Sequence, residues 1–530
     1  MTANWLIAIL GALVVASPGG AQVVTAQYDN ARTGSNLHET RLTPQSVNAA
    51  AFGKVGALSV DGDVYAQVLY LPSVTIPGKG KHAVIFVATE HNSVYAFDAS
   101  VIGAPLWRVN LSGANGSTLV VRDVACPFIR PEVGITPTPV IDTTTGTMYL
   151  LARTKEHGSY VQRLHALDVT TGAPRHEAVQ ISASVRGTGA GSSGGVVAFD
   201  ARRENPRAAL LLTNGRVILS WASSCDVGPY HGWLMAYDAR TLAQVAAFNA
   251  TPDGADGGIW QGDAGPAADA AGHIFAATGN GTFDAASGGR DYGDSILELS
   301  ISASGFDVVD YFTPFDEKML NEQDGDLGSG GPLLVPRQPG PRRDLLFMGG
   351  KGGGVYLLER GRLGRFTRGG DSLAVQTMKA PGMVMGAAAY WNGRIYTLWS
   401  SDVIRSFGLT NGQVNPAPSS QGSHRFADPG ATPTVSSNGG AGGIVWVVET
   451  RTWNGSDRPA VLHAYDASNV ARELYSSELN AARDRAGVAL RFAIPTVAGG
   501  RVYVGTKGEV DVYAPLVARP TGGARTGRGD

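Results

Sequence analysis

Between Gly257 and Leu299 the chain reads GGIWQGDAGPAADAAGHIFAATGNGTFDAASGGRDYGDSILEL, and two residues there have types and spacing suited to chemistry. His273 to Thr278 (HIFAAT) has the β-branched and aromatic content of a short buried strand, and Gly279-Asn280-Gly281 breaks it where the backbone must turn. A carboxamide, Asn280, therefore stands at a strand end, with the indole of Trp260 about one strand and one turn upstream. A polar ligand beside a flat apolar plate is what a planar cofactor held against a cation would need. The competing structural roles are packing between sheets for Trp260 and turn formation for Asn280.

These residues need a scaffold, and the chain supplies one by repetition. After a linker-like N-terminal segment, a turn, a strand, a short loop, a second strand with an apolar-x-Asp corner and a weaker strand recur. Units start near His82, Gly146, Gly215, Gly272, Asp344, Gly393, Gly443 and Gly500. No stretch between them reads as a long amphipathic helix. A period of about 40 to 60 residues with several strands per copy predicts an all-β fold, an eight-bladed β-propeller of four-stranded antiparallel blades. Each blade is too small to bury both faces alone, so the ring must close by one end of the chain completing a blade. The recurrent Asp98, Asp168, Asp238 and Asp466 (YAFD, HALD, MAYD, HAYD) read as turn formers.

Composition narrows the function. Charged residues are 17% of the 530 and the net charge is -2, which provides no field to collect nucleic acid or anionic lipid. Trp5 to Ala16 is an apolar run too short to span a bilayer comfortably, followed by small residues suited to cleavage after Ala21; it has no Lys or Arg ahead of it. Residues 1–21 are thus expected to be a signal peptide, 22–518 a single propeller and 519–530 a disordered tail, in a periplasmic or secreted protein with no membrane span. Only Cys126 and Cys225 are present. In an oxidising compartment they are expected to pair, closing a loop worth roughly 4 to 5 kcal/mol; two buried thiols are the alternative, since spacing does not show their Cα atoms to be close.

The corners AFDASVIGAPLW (from Ala96) and ALDVTTG (from Ala166) resemble the repeat of the quinoprotein alcohol dehydrogenase-like propellers, which carry pyrroloquinoline quinone (PQQ), and the likeness extends over nearly all of the mature chain. The resemblance implies roles for particular residues. Trp260 would support one face of the quinone, and Asn280, after a Gly, would be a metal ligand. Asp226, in SSCDVGPYHGWLMAYD, takes the place of the metal's carboxylate, as the shorter Asp where the family usually has Glu. The segment TPFDEKMLNEQDGDLGSGG is similar to the one that carries the catalytic Asp, and offers Asp324 and Asp326. An Asp-x-Asp pair there resembles the lanthanide-using branch, with Asp326 as an added ligand. Lys351, in GGKGGG, resembles the basic residue that contacts the quinone oxygens.

Taken together the resemblance implies PQQ with Ca²⁺ or a lanthanide. The hard cation would polarise a quinone carbonyl, an Asp would take the proton of an alcohol or sugar hydroxyl, and electrons would pass to a soluble acceptor. The chain also departs from the family. The adjacent Cys-Cys pair that caps the quinone is absent, and a Cys126–Cys225 bond beside Asp226 is the expected substitute. The sixth unit, GMVMGAAAYWNG, is poor in polar pocket residues, and no Cys-x-x-Cys-His offers a covalent haem. His91, His157 and His231 have no metal-ligand spacing, and Tyr230 to Trp233 are expected at the pocket mouth. Because the superfamily includes non-catalytic propellers, a silent scaffold that binds protein or glycan is the competing expectation.

Overall fold

Runs such as HAVIFVA and GIVWVVE become strands because their β-branched and aromatic side chains pack on a pleated surface, while the Gly and Asp between them take the turns. The computed structural model describes residues 21–262, 264–451 and 457–516; residues 1–20 of the expected signal peptide and the whole of the expected tail lie outside them. The described residues form eight antiparallel sheets built on four strands each, arranged as the blades of a propeller. Their innermost strands begin at Leu69, Val140, Leu211, Ala267, Leu333, Ala389, Thr434 and Thr496. The longest helix among them, Glu317–Glu322, has six residues.

The core lies between blades rather than within them. Trp221, Trp233 and Met235 of blade 3 pack with Tyr149 and Leu151 of blade 2, and Phe275 and Ile296 of blade 4 with Leu346 and Leu358 of blade 5. Stacking of neighbours supplies the burial that a lone four-stranded sheet lacks. At the corners, Asp98, Asp168, Asp238 and Asp466 each accept a backbone N–H two residues on, from Ser100, Thr170, Arg240 and Ser468. The ring closes through the N-terminus: the strand Phe52–Ser59 pairs antiparallel with Glu509–Pro515 as the outer strand of blade 8.

The N-terminal segment is not a linker. From Val23 to Asn36 it winds round the axis and bonds to the innermost strand, or its edge, of every blade. Val23 pairs with Tyr70, and the carbonyls of Val24, Asn30, Ala31, Thr33 and Gly34 accept N–H groups from Ile141, Ala268, Leu334, Tyr390 and Val435. Side-chain amides of Asn30 and Asn36 donate to Leu212 and Val497. Arg32 is fully buried in this turn and donates to Thr25 Oγ1 and to the carbonyls of Ala26, Leu210 and Pro266. The segment thereby takes the place of water as the partner of inner-strand backbone groups along the axis.

Candidate functional site

Loops from successive blades meet over a cavity of about 110 Å³ that opens to solvent, lined in part by Cys126, Cys225, Asp226, Trp260, Asp326 and Lys351. Each arrives from a different stretch of chain. Cys126 follows a four-residue helical turn, Val121–Val124, in the long connection between blades 1 and 2. Cys225 and Asp226 follow the strand Arg216–Ser223 in blade 3, both in the left-handed backbone region. Trp260 precedes blade 4, Asn280 follows its strand Ile274–Ala277, Asp324 and Asp326 precede blade 5, and Lys351 follows the strand Leu345–Gly349.

Cys126 and Cys225 form a disulfide with a Cα–Cα distance of 5.5 Å, tying the first inter-blade loop to blade 3 across 99 positions. The bond forms part of the cavity wall, as does Trp260. Tyr230 joins the wall to the carboxylates: its hydroxyl donates to Asp226 Oδ1 at 2.9 Å and its ring meets Trp260 edge-on at 6.3 Å. The rest of the expected pocket mouth lies elsewhere. His231 is buried between Thr251 Oγ1 and the Ala190 carbonyl, and Trp233 is packed in the core, because alternate residues of a strand face opposite sides.

Asn280 and Asp326 clasp one another. The Asn280 N–H donates to Asp326 Oδ1 and the Asp326 N–H donates to Asn280 Oδ1, both at 3.0 Å. Gly279 makes this fit: a Cβ there would lie 2.1 Å from Asp326 Oδ1 and 2.9 Å from the Trp260 ring. Beneath the clasp, Asp294 accepts the Leu327 N–H at 2.9 Å, and burial pushes its carboxyl up to about 8. Asp324 is mostly exposed, accepts from Asn280 Nδ2 at 3.1 Å and faces the groove next to the cavity. The Lys351 ammonium bridges the pair, 2.5 Å from Asp324 and 3.6 Å from Asp326.

The electrostatics separate these acids. Burial raises Asp326 to about 6, with the Asn280 N–H and Lys351 pulling it down and Asp324 and Asp226 pushing it up. Burial also raises Asp226, against the hydrogen bond from Tyr230. Asp226 and Asp326 therefore share the cavity with the Lys351 ammonium, while Asp324 meets that ammonium from the adjoining groove. The lining adds residues that the sequence did not single out, among them Arg207 and Arg491. Both stand shortly before an innermost strand, in ARRENPR and LRFAIP, and basic residues at that point of the repeat were the available signal. The sixth blade contributes little beyond Met385, in keeping with its sequence.

No protein-family profile matches the chain, and no curated relative is found. Solved structures do match in shape. A quinohemoprotein alcohol dehydrogenase from Pseudomonas putida superposes with a TM-score of 0.61 at 14% identity, over 94% of this chain and 80% of that one. A europium-containing methanol dehydrogenase gives 0.61 at 13% identity, over 94% of this chain and 98% of that one. The fold is that of the quinoprotein alcohol dehydrogenases. A third such enzyme, a quinohemoprotein alcohol dehydrogenase from Comamonas testosteroni, gives 0.59 at 14% identity, over 94% of this chain and 82% of that one. At such identity the likeness concerns the fold, and the chemistry rests on the residues of the cavity. Among the described residues no helix is long and apolar enough to cross a membrane.

Proposed function

We propose that the chain is an exported quinoprotein dehydrogenase that binds PQQ with Ca²⁺ or a lanthanide and oxidises an alcohol or sugar hydroxyl, its electrons leaving to a soluble acceptor. The observation that carries this reading is the convergence on one cavity of Trp260, the Cys126–Cys225 disulfide and an oxygen-rich set of side chains. The atoms fit such a group in three respects. Asp226 and Asn280 offer oxygen donors, as a hard cation requires, with Asn280 Oδ1 held in place by the Asp326 N–H. The indole Nε1 of Trp260 is buried with no partner within the protein, and a Cβ at Gly279 would press on that edge of the ring at 2.9 Å. Arg207, Arg491 and Lys351 supply positive charge for an anionic quinone.

When bound, the quinone would accept two electrons while its cation withdraws charge from the reacting carbonyl. The chain's own residues bind, orient and move the proton. Asp226 and Asn280 would hold the cation, and Trp260 and the disulfide would bound the quinone plane. Asp326, buried and raised to about 6, is the carboxyl suited to take the substrate's hydroxyl proton near neutral pH. Asp324 holds Lys351 over the clasp.

The test is reconstitution. Purified mature protein mixed with PQQ and either Ca²⁺ or La³⁺ should quench Trp260 fluorescence, and some alcohol or sugar should then reduce a dye. Trp260→Ala should lose the quenching. Absence of both signals under both ions would leave a non-catalytic binding propeller.

A further inference from the structure

The outer strand of blade 6, Ser420–Arg425, and the two middle strands of blade 7, Ala441–Glu449 and Val461–Asp466, bring His424, Glu449 and His463 together at a place outside the cavity lining. Among the described residues they are the group whose potential ligand atoms all lie within 4.8 Å of one another. Both imidazoles aim at one oxygen: His424 Nε2 is 3.2 Å and His463 Nε2 is 3.6 Å from Glu449 Oε2. Their rings stack with centroids 4.8 Å apart.

His463 makes the arrangement unusual. It is 3% exposed, and its Nδ1 lies 2.7 Å from Glu473 Oε1, a carboxylate that can only accept. The proton therefore sits on Nδ1, and in the neutral ring Nε2 is a lone pair. That lone pair is buried without a hydrogen-bond partner and faces a carboxylate oxygen. Two electron-rich atoms so placed need positive charge between them, either a second proton or a metal ion. Burial pulls His463 down and the two glutamates push it up beyond its ordinary value, which suits either. His424 reaches the same oxygen at 3.2 Å, a separation that a neutral Nε2–H donor and a shared metal ion both satisfy, whereas protonating both stacked rings would set two cations face to face.

The distances and charges suit a metal. Bonds of 2.0 to 2.1 Å in a tetrahedral site separate ligand atoms by about 3.3 Å, between the 3.2 and 3.6 Å found. Glu449 also accepts from Arg451 Nε at 3.0 Å, and Arg451 reaches Glu478 at 2.8 Å. Three carboxylates and one guanidinium leave two negative charges with neutral imidazoles, which a divalent ion balances. We propose that His424, Glu449 and His463 form a site for a borderline divalent ion such as Zn²⁺, with Glu473 orienting His463 and Arg451 orienting Glu449. The His424 side chain is 33% exposed, so a remaining coordination position opens to solvent.

The test uses the full, tag-free mature chain stripped with a chelator and titrated with Co²⁺ as a spectroscopic probe. One equivalent should bind with the visible bands of a low-coordinate site, and Zn²⁺ should displace it. His424→Ala and His463→Ala should abolish the bands, and Glu473→Gln should weaken binding about 10- to 100-fold. Asp226→Asn, in the cavity, should leave the bands unchanged. His424 is the more accessible residue, so its variant decides the matter if His463→Ala fails to fold. Failure to take up Co²⁺ or Zn²⁺ stoichiometrically, or uptake undiminished in His424→Ala, overturns the proposal and leaves His463 as a buried imidazolium.

Discussion

Removing the Cys126–Cys225 bond should loosen the protein by an amount that the chain length sets. The bond closes a loop across 99 positions, and the chain-entropy relation gives about 4.7 kcal/mol at 25 °C for a loop of about this size. Unfolding entropy is about 2.1 cal/mol/K per residue, so a chain of 530 residues gains about 1 kcal/mol/K on unfolding. The double substitution Cys126→Ala/Cys225→Ala should therefore lower Tm by only about 4 to 5 °C, although the free-energy loss is large. Calorimetry of the variant, and of the parent with and without reductant, measures this, and thiol titration counts the sulfhydryls released. In urea the variant's unfolded chain is less constrained, so the slope of stability against denaturant should also rise. The reasoning fails if two thiols titrate after reduction while Tm moves by less than about 1 °C. Two thiols in the untreated protein would show that the bond is absent.

Other perturbations test other parts of the structure. Asp326 has a folded value of about 6 against 3.8 unfolded, so the stability it contributes is full below about 3.8 and is lost as pH rises past about 6; Asp326→Asn should flatten urea midpoints across that window. Gly279→Ala would drive a Cβ against Asp326 and Trp260, and should abolish the quenching by PQQ while far-ultraviolet dichroism stays that of a β protein. Arg32→Ala strands several buried carbonyls round the axis and should destabilise by on the order of 3 kcal/mol or more in urea, with Arg32→Lys intermediate.

The ring was legible in the sequence because its signals are local. Alternation of period two, Gly-rich turns and the corner Asp at 98, 168, 238 and 466 each act within a few residues, and their recurrence states the number of blades. Trp260 and Asn280 stood out beside a strand and its Gly-rich turn, whereas Asp226, Asp324, Asp326 and Lys351 were singled out only by the resemblance of their segments to those of the quinoprotein dehydrogenases. Their chemistry was not legible. The clasp between Asn280 and Asp326, the ammonium of Lys351 across two acids and the raised carboxyl of Asp326 depend on distances between blades, which no spacing encodes.

Two features passed unseen altogether. Val23 to Asn36 reads as a polar linker because its partners are backbone groups on eight separate strands, and backbone groups leave no mark in a pattern of side chains. His424, Glu449 and His463 lie in strands of different blades with no common motif, and they meet because antiparallel pairing sets His463 opposite Val447 and aligns blade 6 with blade 7. The sequence by itself determined the local conformations and how many units would repeat, since both follow from short-range patterns of size and polarity. Tertiary structure alone decided which side chains share an electrostatic environment, because closing the ring brings residues hundreds of positions apart to within a few ångströms.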